Sequence, residues 1–253
     1  IEHILGELQG LFIPAAQNAK PFVIPELKEW QGKDGAFVPS EKTCIVYGNA
    51  ALQSIAEAFA ADWKEMFGNA LQVKAGKPQA GDFYLTLKKD KKLGKEGYAI
   101  AVAKYVTVSA PETTGVYWAT RTLLQIGEQS DNHALPHGTV RDWPDYSVRG
   151  FMMDCGRKFI PMAYMRDLVK MMSYYKMNVL QVHLNDNGFK QFFGHDWSKT
   201  YAAFRLECET FPGLTARDGY YTKREFVDFQ LDAAARCVEI IPEIDAPAHT
   251  LAF

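Results

Sequence analysis

No stretch of the chain comes near the roughly 18 consecutive apolar residues of a membrane-spanning helix, so no membrane span is expected. Neither sign of charge dominates: 28 Lys and Arg stand against 30 Asp and Glu, for a net charge of −2, and the basic residues form no stripe. That removes the electrostatic ground for nucleic-acid binding. Cysteine is scarce, and Cys44, Cys155, Cys208 and Cys237 show no C-x-x-C spacing. Three of the four lie in or beside apolar runs, where buried free thiols are expected rather than a disulfide or a metal site. Ile1 is not preceded by an initiator Met and no signal-peptide pattern is present, so a processed or trimmed product is expected and the compartment stays open. What remains is a globular composition, 47% hydrophobic and 23% charged over 253 residues, enough for one large or two modest domains.

Residues 1–145 read as an α/β unit. Thr43 to Tyr47 is β-branched and aromatic and stops at the turn pair Gly48-Asn49. Leu52, Ile55, Ala56, Phe59, Trp63 and Phe67 recur at three- and four-residue steps, which predicts an amphipathic helix over 50–67. Strands are expected at 82–88, 97–103 and 104–110, and Thr113-Thr114-Gly115 opens a second helix. Leu135-Pro136-His137-Gly138 reads as a turn and Trp143-Pro144-Asp145 as a linker. No polar constellation gathers here, so a packing domain is the expectation.

After Asp145 the pattern becomes a strand–helix alternation: strand Val148 to Cys155, helix Pro161 to Met177, strand Asn178 to Leu184, helix from Thr222 to Arg236, strand Val238 to Ile244. Thr222 is placed as an N-cap with Glu225 as its capping-box partner. Strands joined by helices imply right-handed crossovers and a parallel sheet. Between Asp186 and Thr222 runs a connection of about 35 residues, where βα loops usually take 2–6; in parallel barrels such loops carry substrate contacts.

Each apolar strand run stops abruptly in groups capable of chemistry. The first ends at Asp154 with Arg157 just beyond, the second at His183, Asn185 and Asp186, the third at Glu243, Asp245 and His249. In a parallel barrel these would rim one mouth. The planar fork of Arg157 suits hydroxyl or carboxylate recognition, and a nearby Asp or His suits proton relay. Read singly, Arg157 with Lys158 fits a solvated pair equally well, and His183 and Asp245 fit hydrogen-bonded core groups. Glu243, Asp245 and His249 are metal-ligand types, but Pro242 and Pro247 interrupt them and no second His stands at ligand spacing, so no metal is expected. Phe192, Phe193 and Trp197 are expected as a small apolar cluster under the long loop rather than as a sugar platform.

Taken together, Arg149-Gly150-Phe151-Met152-Met153-Asp154, Arg157-Lys158-Phe159, Tyr175-Lys176-Met177-Asn178, His183-Leu184-Asn185-Asp186 and Pro242 to His249 resemble the first half of the catalytic barrel of family 20 glycoside hydrolases, the β-N-acetylhexosaminidases. The segments Pro21 to Pro25, Gly94 to Tyr98, Gly115 to Gln125 and Leu135 to Gly138 are similar to that family's non-catalytic N-terminal domain. The resemblance implies an N-terminal α/β sandwich domain over 1–145, then a partial (β/α)8 TIM barrel over 146–253 with about three of eight strands. It implies removal of terminal β-linked N-acetylhexosamine by a retaining mechanism in which the substrate's own acetamido carbonyl attacks, an exception to the two-carboxylate scheme. An Asp–Glu pair does the protein's part, the Asp orienting the acetamido group and the Glu serving as acid and base. Under the same resemblance Arg157 would bind the sugar, Asp186 and His249 would form the pair supporting that Glu, and Asp154, His183, Glu243 and Asp245 would be structural near the site. No cofactor is implied. The partner would be an oligosaccharide or glycoconjugate with a terminal N-acetylhexosamine, in a periplasmic or secreted setting.

The sequence departs from the family pattern in one consequential way: no Asp-Glu dipeptide occurs in it, and it stops at Phe253. Asn187, Ala248 and Cys237 at family-variable positions read as subfamily variation. The chain is therefore expected to be part of a longer enzyme and inactive alone. Its last strand would leave a free edge, so self-association through that edge, or poor order of the last ~15 residues, is expected. A non-catalytic carbohydrate-binding or scaffold protein on the same architecture is the alternative, and another glycosidase on a similar barrel a third.

Overall fold

In the computed structural model, which describes residues 17–253, the chain divides between Asp145 and Tyr146 into two units. The first contains β1 (Glu29–Phe37), β2 (Cys44–Tyr47), α1 (Gln53–Phe67), β3 (Gln72–Ala75), β4 (Phe83–Leu87), β5 (Tyr98–Val102), β6 (Val106–Ala110), α2 (Thr113–Gly127) and β7 (Leu135–Asp142). Its seven strands form one mixed sheet in the order β1-β7-β5-β6-β4-β2-β3, parallel from β6 to β3 and antiparallel elsewhere. The four-residue apolar repeat of α1 buries Ala56, Phe59 and Trp63, and the Phe59 and Trp63 rings each meet the Phe83 ring of β4 at 5.3 Å. Burying rings of this size contributes roughly 1.5–3 kcal/mol each. Gly68, left-handed at φ +81°, ends α1 by donating its N–H to Lys64.

The stretch Leu135–Gly138 is not a turn. It is the first half of β7, although Pro136 and Gly138 are turn formers. Pairing with β5 begins only at Gly138, so Pro136 faces β1 alone. The Trp30 ring lies across Gly138 so closely that a Cβ there would come within 2.5 Å of it. A close approach of this kind is what a glycine inside a strand supplies.

The second unit contains β8 (Gly150–Asp154), α3 (Met162–Tyr174), β9 (Val179–His183), β10 (Asn185–Asn187), β11 (Ala202–Phe204), α4 (Lys223–Ala235) and β12 (Glu239–Glu243). Strands β8, β9 and β12 form a parallel sheet with β9 in the middle. Leu180, Val182 and Ile240 pack with Met165, Val169 and Met172 of α3 and with Phe226, Phe229 and Ala233 of α4, which makes one buried core. Thr222 caps α4, its hydroxyl accepting the Glu225 N–H at 3.1 Å.

The excursion between Asp186 and Thr222 is organised: β11 runs back antiparallel to β10, with 3-10 turns at Lys190–Phe193 and Trp197–Lys199 between them. The expectation of an apolar cluster beneath it needs correction. The aromatics of the excursion do not form a buried cluster, since Phe192 is 78% exposed and Trp197 50%. Lys190 covers the Trp197 ring instead, at 5.3 Å. Of the four free thiols, Cys44 and Cys155 are buried while Cys208 and Cys237 are only partly so. No described helix is long and apolar enough to cross a membrane.

Candidate active site

Register brings the strand-end residues together. Asp154 on β8 pairs with His183 on β9, and His183 pairs with Glu243 on β12, so the three stand in one row where the apolar runs stop. In a parallel sheet, side chains at matched positions share a face. His183 sits in the centre and bonds both ways, Nδ1 to Glu243 Oε1 at 2.5 Å and Nε2 to Asp186 Oδ2 at 2.7 Å.

Asp186 is the hub. Its side chain is fully buried, and its two oxygens accept four donors. Oδ1 takes the Asn187 N–H and His249 Nδ1, both at 2.7 Å. Oδ2 takes His183 Nε2 at 2.7 Å and Arg157 Nη2 at 2.9 Å. Burial alone would push this carboxyl up. Hydrogen bonds from His183, the Asn187 N–H and His249, with the charge of Arg157, more than offset that and hold it below the usual carboxylate range. Burial likewise works to push His183 down, but its bonds to Asp186 and Glu243 prevail and raise it above the ordinary histidine value.

Arg157 bridges two carboxylates. Nη1 reaches Asp154 Oδ2 at 2.8 Å, its backbone N–H reaches Asp154 Oδ1 at 3.0 Å, and Nη2 meets Asp186. Its guanidinium lies over the Phe189 ring at 5.2 Å, and Nε is buried without a protein partner. The solvated-pair reading of Arg157 therefore fails.

His249 projects from the turn after β12 with a left-handed backbone at φ +58°, a conformation that costs a non-glycine residue roughly 1–2 kcal/mol. Asn185 braces that turn, donating to the carbonyls of Asp245 and His249 and accepting the Asp245 N–H at 2.8 Å. The bracing aims Nδ1 at Asp186 and leaves the ring 39% exposed. Asp245 stands at the margin, 4.0 Å from His249 Nε2. Such a carboxylate-held imidazole can tune or relay to a further acid/base group.

Two triads, His183-Asp186-His249 and His183-Glu243-Asp245, hold ligand-type atoms within 4.8 Å of one another. Both depend on His183, whose two nitrogens already bond to carboxylates. The donor set fits an internal hydrogen-bond network better than an ion's shell.

The site also contains residues that the sequence pattern does not single out. Arg205, at the end of β11, is fully buried and reaches the Cys155 and Gly156 carbonyls. Its only sequence signal is a charge between the apolar Phe204 and Leu206, which reads equally as a solvent-facing strand position.

Matches to known proteins place nearly the whole described chain in one family. The family model described as glycosyl hydrolase family 20, domain 2, matches residues 20–143, and that of the family 20 catalytic domain matches residues 146–253. The β-hexosaminidase of Vibrio furnissii is 27% identical over 95% of this chain and 40% of its own length. That of Akkermansia muciniphila is 36% identical over 55% of this chain and 29% of its own. A solved Streptomyces plicatus β-hexosaminidase variant in complex with its product GlcNAc superposes with a TM-score of 0.79 at 24% identity, covering 94% of this chain and 48% of that one. The chain thus spans about half or less of the relatives it matches.

Proposed function

Because this chain belongs to glycosyl hydrolase family 20, we propose that it is part of a β-N-acetylhexosaminidase that removes terminal β-linked GlcNAc or GalNAc by the substrate-assisted, retaining route. Residues 1–145 serve as the non-catalytic domain and 146–253 as the first part of the barrel. Arg157 holds sugar hydroxyls with the donors its two carboxylates leave free. Asp186 and His249 act together behind the catalytic Glu of an Asp–Glu pair carried elsewhere in the longer protein. Asp154, His183, Glu243 and Asp245 keep Arg157 and Asp186 in place.

The observation that carries this reading is the buried Asp186 carboxylate, bonded to His249 Nδ1 at 2.7 Å on one oxygen and to Arg157 on the other. It gives the site both a fixed charge and an outward-facing imidazole.

The test is hydrolysis by the full-length protein of an aryl N-acetyl-β-glucosaminide against the matching aryl β-glucoside. Preference for the first is expected, and the 253-residue chain alone should be silent, since acid/base catalysis contributes on the order of 10²–10⁴-fold. Binding of N-acetylglucosamine without turnover by the full-length protein would instead make it a carbohydrate-binding relative on the same architecture.

A further inference from the structure

Arg205 makes more hydrogen bonds than any strand-end residue, yet it touches neither Arg157 nor Asp186. Nε donates to the Cys155 carbonyl at 2.7 Å and Nη2 to the Gly156 carbonyl at 3.2 Å. Nη1 donates to the Gly219 carbonyl at 2.8 Å and to Asp218 Oδ1 at 2.7 Å, while Nη2 also bonds the Tyr201 hydroxyl. Burying a guanidinium is costly unless its donors are satisfied and its charge is paired. Here both conditions hold, with Asp218 as a half-exposed counter-ion.

Two of the three carbonyls it holds, those of Cys155 and Gly156, lie between Asp154 and Arg157, so Arg205 grips the turn from which Arg157 projects. That turn is pressed against the end of β9. The N–H groups of Cys155 and Gly156 both donate to the His183 carbonyl at 3.0 Å. A Cβ on Gly156 would come within 2.8 Å of the Asp186 Cβ and of the Asn185 carbonyl carbon, leaving no room for a side chain. From the other side, the Arg205 N–H donates to the Leu184 carbonyl at 2.8 Å. One residue therefore ties the Arg157 turn to the strand end that carries Asp186.

We propose that Arg205, with Asp218, is a positioning residue: it clamps the Cys155–Gly156 backbone and so sets the placement of Arg157 against Asp186. The inference rests on the reading of Arg157 as the sugar-holding residue. A misplacement of about 1 Å in such a group can cost on the order of 10²-fold in rate. Lysine cannot replace Arg205, because a point charge cannot reach three carbonyls, a carboxylate and a hydroxyl from a fixed fork.

Two arms test it. In the full-length enzyme, Arg205→Lys and Asp218→Asn are each combined with Arg157→Ala, and kcat/KM is measured on the aryl N-acetyl-β-glucosaminide. Arg205→Lys should cost at least tenfold and Asp218→Asn at least threefold, and each loss should shrink to under twofold once Arg157 is alanine. Equal losses in both backgrounds would mean a merely structural role and would overturn the clamp. Asp218→Asn keeps the cycle decisive if Arg205→Lys does not fold, since its side chain is half exposed. In the second arm, the Arg157 Nε–Hε signal of the full-length protein, assigned through Arg157→Lys, should shift or broaden in Asp218→Asn. An unmoved signal would also overturn the clamp. A full-length wild type that cleaves nothing would refute the functional reading instead, and the spectroscopic arm would still decide the role of Arg205.

Discussion

Replacing Asp186 by asparagine removes one charge and one acceptor oxygen from a carboxylate that receives four donors. The asparagine oxygen can keep the Asn187 N–H and His249 on one side. Its NH2 then faces His183 Nε2 and Arg157 Nη2, both donors. A hydrogen bond to a charged group contributes about 1.5–3 kcal/mol, so two losses set an upper limit of about 6 kcal/mol. Arg157 is a third exposed and can turn part of its fork to water, which offsets some of its share. His183 is nearly buried, but it can shed its proton and accept from the new NH2. The expected net cost is about 2–4 kcal/mol, near the 3–5 kcal/mol typical of breaking a buried ion pair. Hydrogen exchange over residues 179–187 at fixed pH should then accelerate by about 30- to 1,000-fold, at tenfold per 1.4 kcal/mol. Unchanged protection there in a folded Asp186→Asn chain would refute the account of Asp186 as the hub.

Titration of the same network has a defined sign. His183 is raised, so its contribution is fully present below its unfolded value near 6.5 and is lost as pH rises through the folded value. Asp186 is lowered, so its contribution is present above its unfolded value near 3.8 and is lost as pH falls through the folded value. The pair should be at full strength between about pH 4 and 6.5, and Tm should fall from pH 6 to 8.5 by more in wild type than in His183→Gln; parallel profiles would contradict this. In the full-length enzyme, Arg157→Lys should lower kcat/KM at least tenfold, about 1.4 kcal/mol, with folding intact, because the bridge to Asp154 and Asp186 uses two nitrogens of a planar fork that a single ammonium cannot reproduce; an unchanged kcat/KM would remove Arg157 from the site. As an isolated 253-residue chain the protein should self-associate through β12, whose Ile241 is 42% exposed beside an edge that no described strand pairs; a monomer by sedimentation at all concentrations, with 239–243 as protected from exchange as 179–182, would contradict this.

The elements that the sequence determined by itself are those whose pattern is local. The four-residue apolar step of α1, the Thr222 cap of α4 and the β-branched runs of β2, β9 and β12 are legible because each is set by neighbours within a turn or two. The strand-end groups were legible for a related reason: a polar residue at the point where a buried apolar run stops is visible without knowing its partner. Elements β1 and β7 were not legible, since Gly32, Gly35, Pro136 and Gly138 have turn propensities that only cross-strand pairing overrides. Nor could spacing tell which strand-end groups touch. Asp186 and His249 stand 63 residues apart and meet because parallel register sets β8, β9 and β12 level and Asn185 braces the turn of His249. Arg205 shows the limit most plainly. In sequence it is one charge between two apolar residues, and only the fold, by wrapping the Cys155–Gly156 turn and Asp218 around it, makes a buried guanidinium both affordable and necessary.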